Sequence, residues 1–173
     1  MNQIIEAIKN RHSCKKYLDT PVDMKLLLEI AEAGKYAPSA LNLQSPVFLV
    51  VNDRKTRDEL SKMNASILNS TEDPFYNAPA VIVVLADRNN KNHVYDGSLA
   101  AENIMLAASS MGLGSCWINR ARQMFDTEEG KKIIKDAGIE GDYEGICNII
   151  VGYPDGELTV KPRKDNYIYT IGE

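Results

Sequence analysis

Apolar residues recur at helical spacing at Ile4, Ile5 and Ile8. They do so again at Leu26, Leu27, Ile30 and Ala31, after Thr20-Pro21-Val22-Asp23, where Pro21 and Asp23 suit a helix start. Two amphipathic helices therefore open the chain. The pattern then changes: Pro46 to Val51 and Ala80 to Ala86 are short β-branched or aromatic runs bounded by turn residues, which predicts buried strands. From Ser98 to Met111 Ala, Leu, Met and Ile dominate, and Gly112 follows as a helix C-cap would, so a central buried helix is expected. Its small residues Ala100, Ala101, Ala107, Ala108 and Ser109 would admit another helix closely, within the subunit or across a dimer. Cys116 to Ile118 reads as a short strand, Glu128 to Ala137 as a surface helix ended by Gly138, and Ile146 to Tyr153 as a further buried strand. Helices and strands interleave without strict βαβ repetition, which predicts an α+β fold with helices against a mixed central β-sheet.

The 173 residues suit one domain, 1–173, and 44% hydrophobic against 25% charged residues is the balance of a folded protein rather than a disordered one. Twenty Lys and Arg against 24 Asp and Glu leave a net charge of -4, which argues against a general nucleic-acid binder. The longest apolar run, Ala80 to Ala86, falls far short of the roughly 20 residues that cross a bilayer, so no membrane span is expected. Met1 to Arg11 mixes isoleucines with Glu6, Lys9 and Arg11 and lacks the apolar block of a signal peptide, which points to a cytoplasmic protein. Cys14, Cys116 and Cys147 are too widely spaced for a disulfide framework or paired zinc ligands. With His12 and His93 as the two imidazoles, and no metal-ligand spacing, no protein-ligated metal is expected. His93 lies in the polar stretch Asn89 to His93 and reads as part of an exposed loop.

Arg11-His12-Ser13-Cys14-Lys15-Lys16-Tyr17 is a cationic connector with too little apolar periodicity for core. In an extended segment Arg11, Ser13 and Lys15 project to one side, offering a planar fork, a hydroxyl and a point charge, the donors that grip a phosphate. Lys161-Pro162-Arg163 repeats the alternate-cation spacing on a proline-held stretch, and two such clusters in an acidic protein invite a shared anion. A solvated basic turn is the alternative reading of each. Ala37 to Pro46 has two prolines to restrict it and Ser39, Asn42 and Gln44 to form hydrogen bonds, so it suits either an ordinary capped loop or the edge of a planar heterocycle. The tail, 158–173, alternates Tyr167, Ile168, Tyr169, Thr170 and Ile171, too little for a core of its own, and is expected to pack on something, a partner subunit being one option.

Four blocks in order resemble the FMN-dependent nitroreductase family. They are Arg11 to Tyr17; Ala37-Pro38-Ser39-Ala40-Leu41-Asn42-Leu43-Gln44; Asp96 to Ile118; and Val151-Gly152-Tyr153-Pro154 with Lys161-Pro162-Arg163-Lys164. The resemblance implies a nitroreductase-like fold and a homodimer with two FMN sites at the subunit interface, each built from both chains. It implies that Arg11, Ser13 and Arg163, with Lys161, hold the phosphate and ribityl chain near His12, and that Lys15 reaches the pyrimidine side of the ring. Pro38, Ser39, Ala40 and Asn42 would come from the partner subunit, and the backbone of Trp117, Ile118 and Asn119 would lie near the reactive nitrogen. No side-chain nucleophile is implied: NADH or NADPH would reduce the flavin, and the flavin would reduce a nitroaromatic, a quinone or a similar electron-poor small molecule. The resemblance extends to reductive dehalogenation, flavin fragmentation and heterocycle oxidation on the same fold. A low-turnover FMN-binding module and a dimer with an empty anion site are the further alternatives. The chain departs from the family pattern in being short, in having Ser45 and Pro46 where Gln is usually followed by Pro, and in offering Thr71, Glu72, Asp73 and Asn77 without a clear counterpart.

Overall fold

The computed structural model describes residues 2–156 and 161–172. Helix α1, Gln3–Asn10, starts at Asn2, whose side-chain oxygen accepts from the N–H groups of Ile4 (3.0 Å) and Ile5 (3.4 Å). No residue of α1 is buried. Helix α2, Met24–Gly34, is capped by Asp23, which accepts from the Lys25 N–H at 2.8 Å, and it buries Leu27, Ile30 and Ala31. A single 3-10 turn, Ala40–Asn42, leads into β1, Pro46–Val51. There follow α3 (Arg54–Ile67), β2 (Ala80–Asp87), α4 (His93–Ser110), β3 (Gly114–Ile118), α5 (Ala121–Phe125), α6 (Glu128–Asp136) and β4 (Tyr143–Gly152).

The strands form one sheet in the order β1-β2-β4-β3, and every named pair is antiparallel. The sheet is therefore antiparallel and not mixed as expected; the parallel pairing of Ser13 with Ser115 is an isolated bridge outside its four strands. Strand β2 explains its own unbroken apolar run, because both of its faces are covered. Ile82 and Val84 face α2 and α4 through Leu27, Ile30, Ile104 and Ala108. Val81, Val83 and Leu85 face α3, α5 and α6 through Leu60, Met124, Phe125 and Ile134. Each fully buried side chain of this kind contributes about 1.5–3 kcal/mol, so the sheet and its two helical layers form the rigid support for the connectors at its edge.

Three further expectations change. Helix α4 begins at His93, five residues before Ser98, and ends at Ser110 with Gly112 left-handed (φ 76°) beyond it. His93 is accordingly no exposed loop residue: its ring Nδ1–H donates to the Asn90 carbonyl at 2.7 Å, and its Nε2 lies 3.5 Å from Glu144 Oε2. The turn at Asn90 draws this polar segment inward, because Asn90 Nδ2 donates to the buried Asp96 at 2.7 Å. The tail residues 161–172 are exposed, with Ile168 at 86%, so their packing surface is not supplied by the described part of the chain. Residues 158–160 and 173 of the tail lie outside the described residues.

Candidate functional site

The basic connector leaves α1 in extended conformation at Arg11 (φ -64°, ψ 130°) and runs along the edge of β3. The Cys14 N–H donates to the Ser115 carbonyl (2.9 Å), the Leu18 N–H to that of Tyr153 (2.9 Å), and the Asp155 N–H to that of Lys16 (3.1 Å). Alternation follows: Cys14 is buried, whereas Ser13 and Lys15 are exposed. Gly114 makes room for this, since a Cβ there would sit 2.7 Å from the Cys14 sulfur. Burial pushes the Cys14 thiol up, and its S–H is held by the Lys16 carbonyl (3.0 Å), so Cys14 is no nucleophile in spite of the cations beside it in sequence.

Arg11 is aimed by α4: its Nε lies 3.0 Å from Glu102 Oε1, an ion-pair distance that lacks hydrogen-bond alignment. His12 Nδ1–H donates to the Asn10 carbonyl at 2.6 Å, which leaves Nε2 as the acceptor of the neutral ring. That nitrogen is buried without a partner. A ligand hydroxyl would satisfy it.

Lys15 opens onto a cavity of about 300 Å³ whose other walls include Trp117, Ile118, Asn119, Arg120 and the segment from Ser70 to Tyr76. Two buried polar residues of α3 organise those walls. Asn64 donates from Nδ2 to the Asn119 carbonyl (2.8 Å) and accepts from Arg120 Nε (3.0 Å), which fixes the turn where Arg120 is left-handed at φ 75°. Arg57, 2% exposed, donates to the Ala78 carbonyl (2.8 Å), Asp58 (2.9 Å) and Asp73 (2.6 Å). Asp73 also accepts from the Ser61 hydroxyl and from the N–H groups of Phe75 (2.8 Å) and Asn77 (2.7 Å). Burial opposes ionisation of Asp73, but these donors together outweigh it and hold the carboxyl below the usual carboxylate range. The bracket forces Tyr76 and Asn77 into left-handed backbone, φ 51° and 54°, at a cost of order 1–3 kcal/mol for a bulky residue such as Tyr76.

Pro38 and Ser39 line a different cavity, about 310 Å³, with Gln44, Phe48 and Asp96. Asp96 shapes this loop, accepting from the Ala40 N–H (3.0 Å), the Ser45 hydroxyl (3.0 Å) and Asn90. Ser45, the residue that interrupts the Gln-Pro order, is thus used to tie the loop to α4. Leu41 and Asn42 are left-handed, φ 53° and 56°, and Leu41 is 91% exposed. Within one chain, then, Lys15 and Trp117 to Asn119 meet at one cavity while Pro38 and Ser39 line another. Lys161 and Arg163 are exposed, and no hydrogen bond or ion pair among the described residues holds them.

A sequence model of the Nitroreductase family matches residues 8–153. The chain belongs to the Nitroreductase family. Among solved structures, a nitroreductase with bound FMN from Bacteroides fragilis superposes with a TM-score of 0.90 at 26% identity, covering 99% of this chain and 100% of its own. An FMN-dependent nitroreductase from Clostridium difficile R20291 is 33% identical, covering 95% of this chain and 94% of its own, at a TM-score of 0.74. A Vibrio harveyi NADPH-flavin oxidoreductase is 28% identical over 174 residues, 94% of this chain and 70% of the relative. The family match stops before Lys161 and Arg163, so it bears on the first three blocks and on Val151 to Tyr153 of the fourth. In this nitroreductase-family chain the supporting roles of Arg57, Asn64, Asp96 and Glu102 were not legible, because each acts through tertiary contacts, although Asp96 and Glu102 fall within the third block that resembles the family.

Proposed function

We propose that this chain is one half of a dimeric FMN oxidoreductase that uses NADH or NADPH to reduce an electron-poor small molecule of the nitroaromatic or quinone type. The observation that carries the reading is the cationic edge itself: Arg11 aimed by Glu102, the buried unpartnered His12 Nε2, exposed Ser13, and Lys15 beside a cavity. These groups fit FMN. Arg11 and Ser13, joined by Lys161 and Arg163, would hold the phosphate, and His12 Nε2 would accept from a ribityl hydroxyl. Lys15 would place a positive charge at the pyrimidine side, stabilising negative charge there by the logic of an oxyanion hole. The turn at Trp117 to Asn119, fixed by Asn64, would present its backbone at the reactive edge. Bound FMN supplies the two-electron chemistry that the side chains lack.

A second subunit is part of the reading. Ile4 (70% exposed), Ile5 and Ile8 leave α1 with an apolar stripe but no buried residue, and Tyr167, Ile168 and Tyr169 add exposed apolar area in the tail. Apolar surface of this extent marks an interaction site, and a copy of the same chain would bring Pro38, Ser39, Ala40 and Asn42 to the site that one chain leaves without them. Three free, buried cysteines suit a reducing cytoplasm. Ile5→Asp tests the dimer: an acid in the first helical turn is favourable to the helix but unfavourable in an apolar interface. Sedimentation equilibrium is expected to give a monomer that is folded and has lost FMN affinity; an unchanged dimer would contradict the arrangement.

A further inference from the structure

We propose that Tyr76 is a positioning residue for Lys15, holding its ammonium over the aromatic face without neutralising its charge. This rests on the reading that Lys15 serves the pyrimidine side of a bound flavin. Lys15 Nζ lies 5.2 Å from the Tyr76 ring centroid, within the range where the ring quadrupole attracts a cation. Lys15 is exposed and flexible, and among the described residues it makes no ion pair, so the ring is the contact that limits its positions. A carboxylate partner would orient the ammonium but cancel the charge that the site requires. Of the two carboxylates that line the same cavity, Asp73 has its oxygens taken by Arg57, Ser61, Phe75 and Asn77, and Glu72 makes no ion pair with Lys15.

The backbone indicates that the ring's placement is imposed. Tyr76 sits at φ 51°, its N–H donates to the Asp73 carbonyl (3.1 Å), and the Asp73 side chain clamps the residues on either side of it. No hydrogen bond of the Tyr76 hydroxyl is found among the described residues, so the ring is the working part. Tyr76→Phe therefore keeps the contact, whereas Tyr76→Leu removes it in the same backbone conformation. Tyr76→Asn removes it in a residue type that tolerates left-handed φ, which guards against loss of the fold.

The test combines two measurements on wild type, the three Tyr76 variants and Lys15→Met. In the apo protein with carbon-13-labelled lysine, the Lys15 side-chain signal, assigned by its loss in Lys15→Met, is expected upfield through the ring current in wild type and Tyr76→Phe. It should return to the ordinary lysine position in Tyr76→Leu and Tyr76→Asn. With FMN bound, Lys15→Met is expected to lower the midpoint potential. Tyr76→Leu and Tyr76→Asn should lower it by part of that amount, about threefold in the ratio of reduced to oxidised FMN affinity, or about 14 mV for a two-electron couple. Tyr76→Phe should match wild type. A lysine signal unmoved in both Tyr76→Leu and Tyr76→Asn, or wild-type potentials in both while Lys15→Met shifts, would overturn the role of Tyr76 and leave the Lys15 reading intact. A wild-type potential in Lys15→Met would overturn the Lys15 reading and this inference with it.

Discussion

Replacing Arg57 with alanine is expected to destabilise the folded protein by about 3–5 kcal/mol, the range for removing one partner of a buried ion pair. The guanidinium is 2% exposed and satisfies the Ala78 carbonyl and two carboxylates, so its loss leaves Asp73 with one cation fewer and a buried carbonyl without its donor. Arg54→Ala on the same helix provides the contrast. Arg54 is 55% exposed and pairs with Asp58 at 3.0 Å on the surface, so its removal should cost about 1 kcal/mol or less. Urea midpoints of the two apo variants check this; an Arg57→Ala midpoint equal to that of Arg54→Ala would contradict it. The pH dependence follows from Asp73. Its folded carboxyl titrates below the ordinary value, so its contribution is fully present above about pH 4, where the unfolded group titrates, and is lost as pH falls through the folded value. The difference between wild type and Arg57→Ala should therefore narrow in acid.

Arg163→Ala is expected to act on the ligand and not on the fold. Arg163 is exposed, and no contact among the described residues would be lost with it, so the apo unfolding midpoint should stay at the wild-type value. If Arg163 completes the phosphate grip in the dimer, losing one charge-assisted contact costs about 1.5–3 kcal/mol, roughly ten- to a hundredfold in FMN affinity. Titration of apoprotein with FMN, followed by quenching of flavin fluorescence, measures it. Unchanged affinity would remove Arg163 from the site and leave Arg11 as the cation most directly aimed at the phosphate.

Most of the scaffold was legible because its signals are local. The run Ala80 to Ala86 is apolar without interruption, since β2 is covered on both sides, and Pro46–Val51 was bounded at the residues where β1 begins and ends. Helix α3 gave no comparable signal. Its buried face includes Arg57, Ser61 and Asn64, so a search for apolar periodicity finds a charged segment where the fold has its main polar support. The first turn of α4 was hidden for a related reason, since His93 and Asp96 are polar residues drawn inward by hydrogen bonds.

The candidate site divides the same way. Alternation in Arg11, Ser13 and Lys15 follows from an extended backbone and is visible in the connector alone, whereas the burial of Cys14 between them emerges only in the fold, where it packs against Gly114. The partners that aim these groups come from distant segments: Glu102 for Arg11, Tyr76 for Lys15, Asp96 for the Ala40 loop. Nothing in local spacing announces a contact across 50 or more residues, such as Ala40 with Asp96, which are 56 apart. The tail illustrates a different limit. Its apolar alternation was readable, but the surface proposed to cover it belongs to a second copy of the chain.

The measurement that tests the central claim most directly is an absorption spectrum of the purified protein, followed anaerobically as NADH or NADPH is added. The expected result is a yellow protein, or one that becomes yellow on addition of FMN, and bleaching of the flavin band by one of the two nicotinamides. A colourless protein that ignores added FMN, or a bound flavin that neither nicotinamide bleaches, would contradict the assignment of this chain as an NADH- or NADPH-dependent FMN oxidoreductase.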